Sequence, residues 1–381
     1  MVDLTPYAII SVTAVTSIFI ILFIVVTRLK VVYSKLPMGL AIALATVMAL
    51  RLLFPIEFLF CSETLLSFDV FPQIDNVIYT DIPVVNNVVP SIKITVVNVF
   101  CAVWAIGAAV FVVKCIKEYK NIYKAVKYVI PTNDPLILDT LNQIKREYNY
   151  NFDVKVIVNK VISSPSEFGF FRQIIFLDDY KYTAEELNFI LSHELTHFYN
   201  KSNWINLFMD MVRSILWWNP VIHIFREHIK NLLEIYVDAH VTKYKSHKYR
   251  IMYIECINKI LKISESKGKI IPQVNFVHSM AAQLDKDVVM KRCNVIRYGH
   301  KSNIPICILT VLILSLYIFV SSRYVVQPAY EPDIGDFTHP EFTSENSYII
   351  KEDNMYILYY NGKPYSSNPY LNELPDVPIK N

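Results

Sequence analysis

His193-Glu194-Leu195-Thr196-His197 is an H-E-x-x-H run. On an α-helix, positions i and i+4 share a face, so both imidazoles can reach one metal ion while Glu194 stands beside it as a general base. The chemistry this implies is zinc-assisted hydrolysis, with Zn2+ as the one cofactor. Given the His and Glu content of the chain, such a run arises by chance on the order of one time in a hundred. The plainer alternative is two histidines satisfied inside a buried helix.

A catalytic zinc takes three protein ligands and keeps a fourth position for water. Glu234, in the helical stretch Asn231–His240, is the best third ligand. Asp238 falls one turn later on the same face, where a carboxylate can accept the free ring N–H of a ligating histidine and fix its tautomer. Both could equally sit on a solvated helix face. His223, Tyr236 and His240 lie in the right part of the chain to stabilise an oxyanion, and none is singled out.

The H-E-x-x-H run needs a helix, and the sequence supplies one. Thr183 with Glu186 makes a capping box, and Ala184 to Tyr199 runs without Gly or Pro through Leu187, Ile190, Leu191, Leu195 and Phe198. Upstream, a helix is expected around Leu136–Glu147 and strands at Val154–Val158 and Gln173–Leu177. A strand just before the metal helix could offer an exposed edge to an extended peptide.

This chemistry is set in a membrane protein. Of the 381 residues 53% are apolar, mean hydropathy is +0.32, and four stretches approach the ~20 apolar residues a bilayer requires. These are Tyr7–Thr27, Leu36–Phe60, Ile94–Val113 and Asn303–Ser322. The first lacks a basic leader and a cleavage site, so it reads as a span. Basic residues flank the spans at Arg28, Lys30 and Lys35, at Lys114, Lys117, Lys120, Lys124 and Lys127, and at Lys291, Arg292, Arg297 and Lys301. The loop 61–91 holds Glu63, Asp69, Asp75 and Asp81 and no Lys or Arg. By the positive-inside rule the N-terminus and C-terminal tail are outside and the zinc motif is cytoplasmic.

The expected organisation is therefore three spans in 1–114, a cytoplasmic domain in 115–302, a fourth span in 303–322 and a short exterior tail in 323–381. Lys114–Val129 reads as a basic amphipathic helix at the anionic inner surface. Trp204–Phe225, broken by Asp210, Arg213 and Pro220, reads as a helix buried in the domain or lying in the membrane interface, since a fifth span would put Glu234 across the membrane from His193. In the tail, Tyr348–Leu358 and Asn361-Gly362 suggest a hairpin, with disorder the alternative.

Other chemistries lack support. Seven scattered glycines form no phosphate-binding loop, six cysteines form no C-x-x-C, and the net charge of +3 clusters at membrane edges, so no direct nucleic-acid binding is expected.

The motif set resembles the BlaR/MecR-type sensor-transducer metallopeptidases, which are gluzincin-like. The resemblance rests on Ser163-Ser164-Pro165, Phe168 to Arg172, Ile175-Phe176-Leu177, Glu185-Glu186-Leu187, His193–His197, Trp217-Trp218-Asn219-Pro220 and Glu234-x-x-x-Asp238. It implies a multi-pass α-helical membrane protein with a mainly α, α+β zincin-like cytoplasmic domain. It also implies His193, His197 and Glu234 as zinc ligands, Glu194 as general base, self-cleavage, and loss of a cytoplasmic DNA-binding repressor on an extracellular signal. The tail from Arg323 carries no S-x-x-K, so direct acylation by a β-lactam is not expected. Self-cleavage is expected between Glu234 and the fourth span, with Gln273–Met280 one such loop. Two alternatives stand beside this reading: a membrane quality-control protease, and a non-catalytic receptor or immunity protein with a structural metal. The sequence leaves open a homodimer.

Overall fold

The computed structural model describes residues 6–33, 35–54, 62–66, 95–160, 162–267, 278–279, 286–299, 303–328, 347–352, 355–360, 363–368 and 378–380. The chain divides into a main unit, Met1–Leu65 with Asp75–Gln327, and a second unit, Leu66–Ile74 with Pro328–Asn381.

In the main unit α1 (Pro6–Arg28), the short α2 (Lys30–Tyr33) and α3 (Met38–Leu53) are followed by β1 (Ser62–Leu66) and the long α4 (Val96–Lys127). Near the other end, α11 (Ile304–Arg323) leads into β6 (Tyr324–Pro328), which pairs with β1. Three helices among the described residues are long and apolar enough to cross a membrane: Ile9–Arg28, Val96–Lys124 and Ile304–Ser321. Of the expected span Leu36–Phe60, α3 supplies 16 residues, about 24 Å at 1.5 Å per residue; residues 55–60 lie outside the described set. Most of the expected exterior loop 61–91 does as well.

The basic stretch Lys114–Val129 is not a separate helix. From Ala108 to Ile130 the sequence has no Gly or Pro, so nothing ends the helix at the membrane boundary, and α4 runs on for 32 residues, about 48 Å.

A four-stranded sheet underlies the metal helix, in the order β2-β4-β3-β5. Here β2 is Val154–Val158, β3 Ser166–Phe168, β4 Gln173–Leu177 and β5 His278–Ser279. β2 and β4 run parallel, while β3 is antiparallel to β4 and β5 antiparallel to β3. The strands at 154–158 and 173–177 form as the alternation predicts. The edge does not: β4 is interior, between β2 and β3, and the other side of β3 pairs with His278–Ser279. Sequence periodicity could not find β3, because three residues are too short to alternate visibly.

α5 (Pro135–Glu147), N-capped by Asp134, and α6 (Ala184–Tyr199) lie against this sheet, with one apolar cluster joining Ile137, Leu141, Ile144, Val156, Ile175, Leu177, Ile190, Leu191 and Leu195. The apolar run Trp204–Phe225 breaks into α7 (Ser202–Ile215) and α8 (Pro220–Thr242). Asn219 caps α8 through Val221 N–H, with Pro220 following it where no donor is needed. α9 (His247–Lys267) and α10 (Lys286–Tyr298) complete the domain.

α8 joins two cores. Its Ile222, Phe225, Ile229, Leu232 and Leu233 pack with Ile20 and Phe23 of α1 and Ala45 and Met48 of α3, whereas Val237 and Val241 belong to the sheet-side core.

In the second unit, β7 (Ser347–Glu352), β8 (Met355–Tyr360) and β9 (Lys363–Asn368) form an antiparallel meander, with β10 (Ile379–Lys380) parallel to β7. The hairpin expected around Asn361-Gly362 therefore exists, with Tyr360 opposite Lys363; its two turn residues lie outside the described set.

Candidate metal centre

The capping box holds α6 at its start: Glu186 N–H donates to Thr183 Oγ1 at 3.2 Å and Thr183 N–H to the Glu186 carboxylate at 2.9 Å. One face of this helix then carries His193 and His197 into the interior, and α8 brings Glu234 and Asp238 against them. His193, Glu194, His197, Glu234 and Asp238 are all buried.

Ligand atoms of His193, His197 and Glu234 all lie within 4.8 Å of one another. His193 Nε2 stands 3.1 Å from His197 Nε2 and 3.4 Å from Glu234 Oε2, and His197 Nε2 stands 3.5 Å from Glu234 Oε1. Donors at about 2.0–2.1 Å from a tetrahedral ion are separated by roughly 3.3 Å, so two nitrogens and one oxygen are spaced to hold one such ion. The fit is also chemical. Borderline ligands of this mixture suit zinc better than an all-oxygen ion such as calcium.

The tautomer of His193 follows from its neighbours. Tyr253, on α9, donates its hydroxyl proton to Asp238 Oδ1 at 2.8 Å, and His193 Nδ1 lies 2.8 Å from the same hydroxyl and 3.2 Å from Asp238 Oδ1. With the hydroxyl hydrogen already given away, Nδ1 must be the N–H donor, which leaves the Nε2 lone pair for a metal. Asp238 in turn receives Arg292 through Nε at 2.6 Å and Nη2 at 3.1 Å, and Arg292 Nη1 reaches Glu234 at 3.2 Å.

Burial works against ionisation of Glu234, but Arg292 and both histidines outweigh it and hold that carboxyl well below its ordinary range. Asp238 is likewise held down, mainly by Arg292 and His193 against the effect of burial. Burial opposes a charged His193 too, yet Asp238 and Glu234 overcome it and push its pKa up to about 9. Glu194 moves the other way from its two carboxylate neighbours. Burial, reinforced by Glu234, pushes it up to about 8 despite His193 and Arg292. Neither of its oxygens has a hydrogen-bond partner among the described residues.

Five residues singled out by sequence thus converge. Three others do not. Tyr236 and His240 lie two and six residues beyond Glu234, turned to the far side of α8, where they contact each other and His240 contacts Tyr199. His223 Nε2 bonds Trp217 O at 2.9 Å, about 16 Å along the helix from Glu234.

Sequence reading missed Tyr253, Glu167 and Arg292. Arg292 stands among the basic residues that flank the fourth apolar stretch, yet it is buried with two site carboxylates. The signal that could have found it is the excess of buried acid: two carboxylates on one buried helix face require a cation from elsewhere.

Residues 8–290 match the family model described as BlaR1 peptidase M56. A curated relative, the Regulatory protein BlaR1 of Bacillus licheniformis, is 28% identical over 184 residues. That match covers 48% of this chain and 31% of the relative, so it spans about a third of that protein's length. The matched range runs from the first apolar helix through the H-E-x-x-H helix to Glu234 and Asp238, so the region carrying the triad is the region the family model describes. On that match this membrane protein belongs to the BlaR1 peptidase M56 family.

Proposed function

We propose that the chain is a membrane zinc endopeptidase that transmits an extracellular signal by cytoplasmic, site-specific proteolysis. The observation that carries this reading is the buried triad of His193, His197 and Glu234, with the Glu194 carboxyl beside it that has no hydrogen-bond partner among the described residues. A zinc ion bound there supplies Lewis-acid polarisation of a peptide carbonyl and acidifies water. Glu194 takes the proton of the attacking water on a carboxyl oxygen and returns it to the leaving amine. Asp238 and Tyr253 keep the His193 Nδ1 proton in place, and Arg292 neutralises the two carboxylates of α8.

The substrate is a peptide in extended form. His278–Ser279, within the expected Gln273–Met280 loop, pair antiparallel with β3, the alignment in which an extended peptide augments a sheet edge. That pairing supports self-cleavage in this stretch, whose other residues lie outside the described set. The relative's designation as a regulatory protein favours a dedicated regulatory target, a cytoplasmic DNA-binding repressor, over broad quality control. The basic flanks of the apolar helices support a cytoplasmic domain.

The test is zinc content and self-cleavage of detergent-purified protein, with wild type beside Glu194→Gln and Glu234→Ala. One zinc in wild type and Glu194→Gln, little in Glu234→Ala, and fragments from wild type alone are expected. Fragments from Glu194→Gln at the wild-type rate would remove the catalytic assignment.

A further inference from the structure

β3 carries a buried carboxyl that the proposed reaction does not use. Alternation along the strand sends Phe168 to one side, among Tyr119, Phe170 and Phe176. Its neighbour Glu167 goes to the other, toward α6. Glu167 is fully buried, and neither carboxyl oxygen has a hydrogen-bond partner among the described residues. His197 Nδ1 lies 4.0 Å from Glu167 Oε1. An unpartnered carboxyl in a dry interior is one of the costliest groups a protein can hold, and each such group calls for an explanation.

The other metal-facing histidine supplies it. His193 has its Nδ1 proton held by Tyr253 and Asp238, and His197 has Glu167 on the equivalent nitrogen, about 1 Å too far for a hydrogen bond. We propose that Glu167 is the positioning residue of His197, accepting its Nδ1 proton when Nε2 turns onto the metal, so that both histidine ligands are fixed by carboxylates from separate elements. The inference rests on the metal-centre reading above. It adds a mechanical link: the strand whose outer edge pairs with His278–Ser279 also holds a zinc ligand through its central residue, so a peptide on that edge braces the ligand.

The experiment uses the full chain in detergent: zinc affinity by chelator competition, and the d–d absorption spectrum of the cobalt-loaded protein, for wild type, Glu167→Gln and Glu167→Met. Met has the length of Glu and only a weakly accepting sulfur, and it should bind zinc 10- to 100-fold more weakly with a shifted cobalt spectrum. Gln keeps a carbonyl oxygen that accepts from Nδ1–H and should stay within about threefold of wild type. If Glu167→Met fails to fold, Glu167→Asp replaces it; one methylene shorter, it leaves its oxygens out of reach, and a tenfold or greater loss is again expected. Equal affinity and an unchanged spectrum in the Met or Asp variant overturn the proposal. A wild type that binds no zinc overturns instead the metal-centre reading beneath it.

Discussion

Tyr253 gives its hydroxyl proton to Asp238 across 2.8 Å, and that one bond sets which nitrogen of His193 is free. Replacing Tyr253 by Phe removes the shared hydroxyl, but Asp238 remains 3.2 Å from His193 Nδ1, so the tautomer is weakened and not lost. Zinc affinity should fall about tenfold, the low end for loss of an outer partner of a metal ligand, with the fold intact. Unchanged affinity by chelator competition would show that Asp238 alone orients the ring.

Arg292 is the counter-charge of the site, and α10 supplies it from far along the chain. Arg292→Met leaves Asp238 and Glu234 as buried acids without their cation, a change that costs about 3–5 kcal/mol. Zinc returns positive charge to Glu234, so part of the loss should be recovered on metal loading. The check is a pair of thermal melts in detergent with and without zinc: the variant should show the larger zinc-induced rise in melting temperature. Equal rises would mean that Arg292 acts on Asp238 alone.

What could be read from the chain divides along a physical line. His193, Glu194 and His197 were legible because one helix presents them at i and i+4, and Glu234 and Asp238 because a second helix repeats that spacing; local periodicity carries both facts. Tyr253, Arg292 and Glu167 come from α9, α10 and β3, and no periodic signal ties those segments to α6. Arg292 looked like a membrane-flanking charge because its neighbours Lys291 and Arg297 are basic, and only its burial against Asp238 separates it from them. In the same way, β4 was legible as a strand, but not as an interior one, since strand order is a long-range property.

Gly107 of α4 is a site of close approach. A Cβ there would stand 2.4 Å from the indole of Trp217, whose turn also receives Trp104 Nε1–H at Ile215 O across 2.8 Å. Gly107→Leu should force Trp217 aside and cost about 1–3 kcal/mol, read as a lower melting temperature in detergent. Gly39, where a Cβ would meet nothing within 4 Å, provides the control: Gly39→Ala should leave the melt unchanged or slightly higher.

The site makes stability and metal affinity respond to pH in opposite directions. Without metal, His193 is raised to about 9, so its stabilising charge is fully present below the unfolded value of 6.5 and is lost as pH rises through 9. Glu194, raised to about 8, binds its proton more tightly folded than unfolded, so its term also declines as pH rises from about 4.5 to about 8 and is then spent. Glu167, pushed well above the carboxylate range by burial and by Glu194 and Glu234, adds to the same slope. These three groups should therefore take stability away between pH 5 and 9, opposed below pH 6.5 by His228, which burial lowers to about 4, so the net loss is expected above pH 6.5, and Glu194→Gln should flatten it up to about pH 8. Zinc must displace the His193 proton, so its affinity should rise over the interval in which the metal-free fold weakens. Melting temperatures of chelator-treated protein, taken beside zinc titrations in the same buffers, test both slopes; a metal-free melt that climbs toward pH 9 would contradict the charge state assigned to His193.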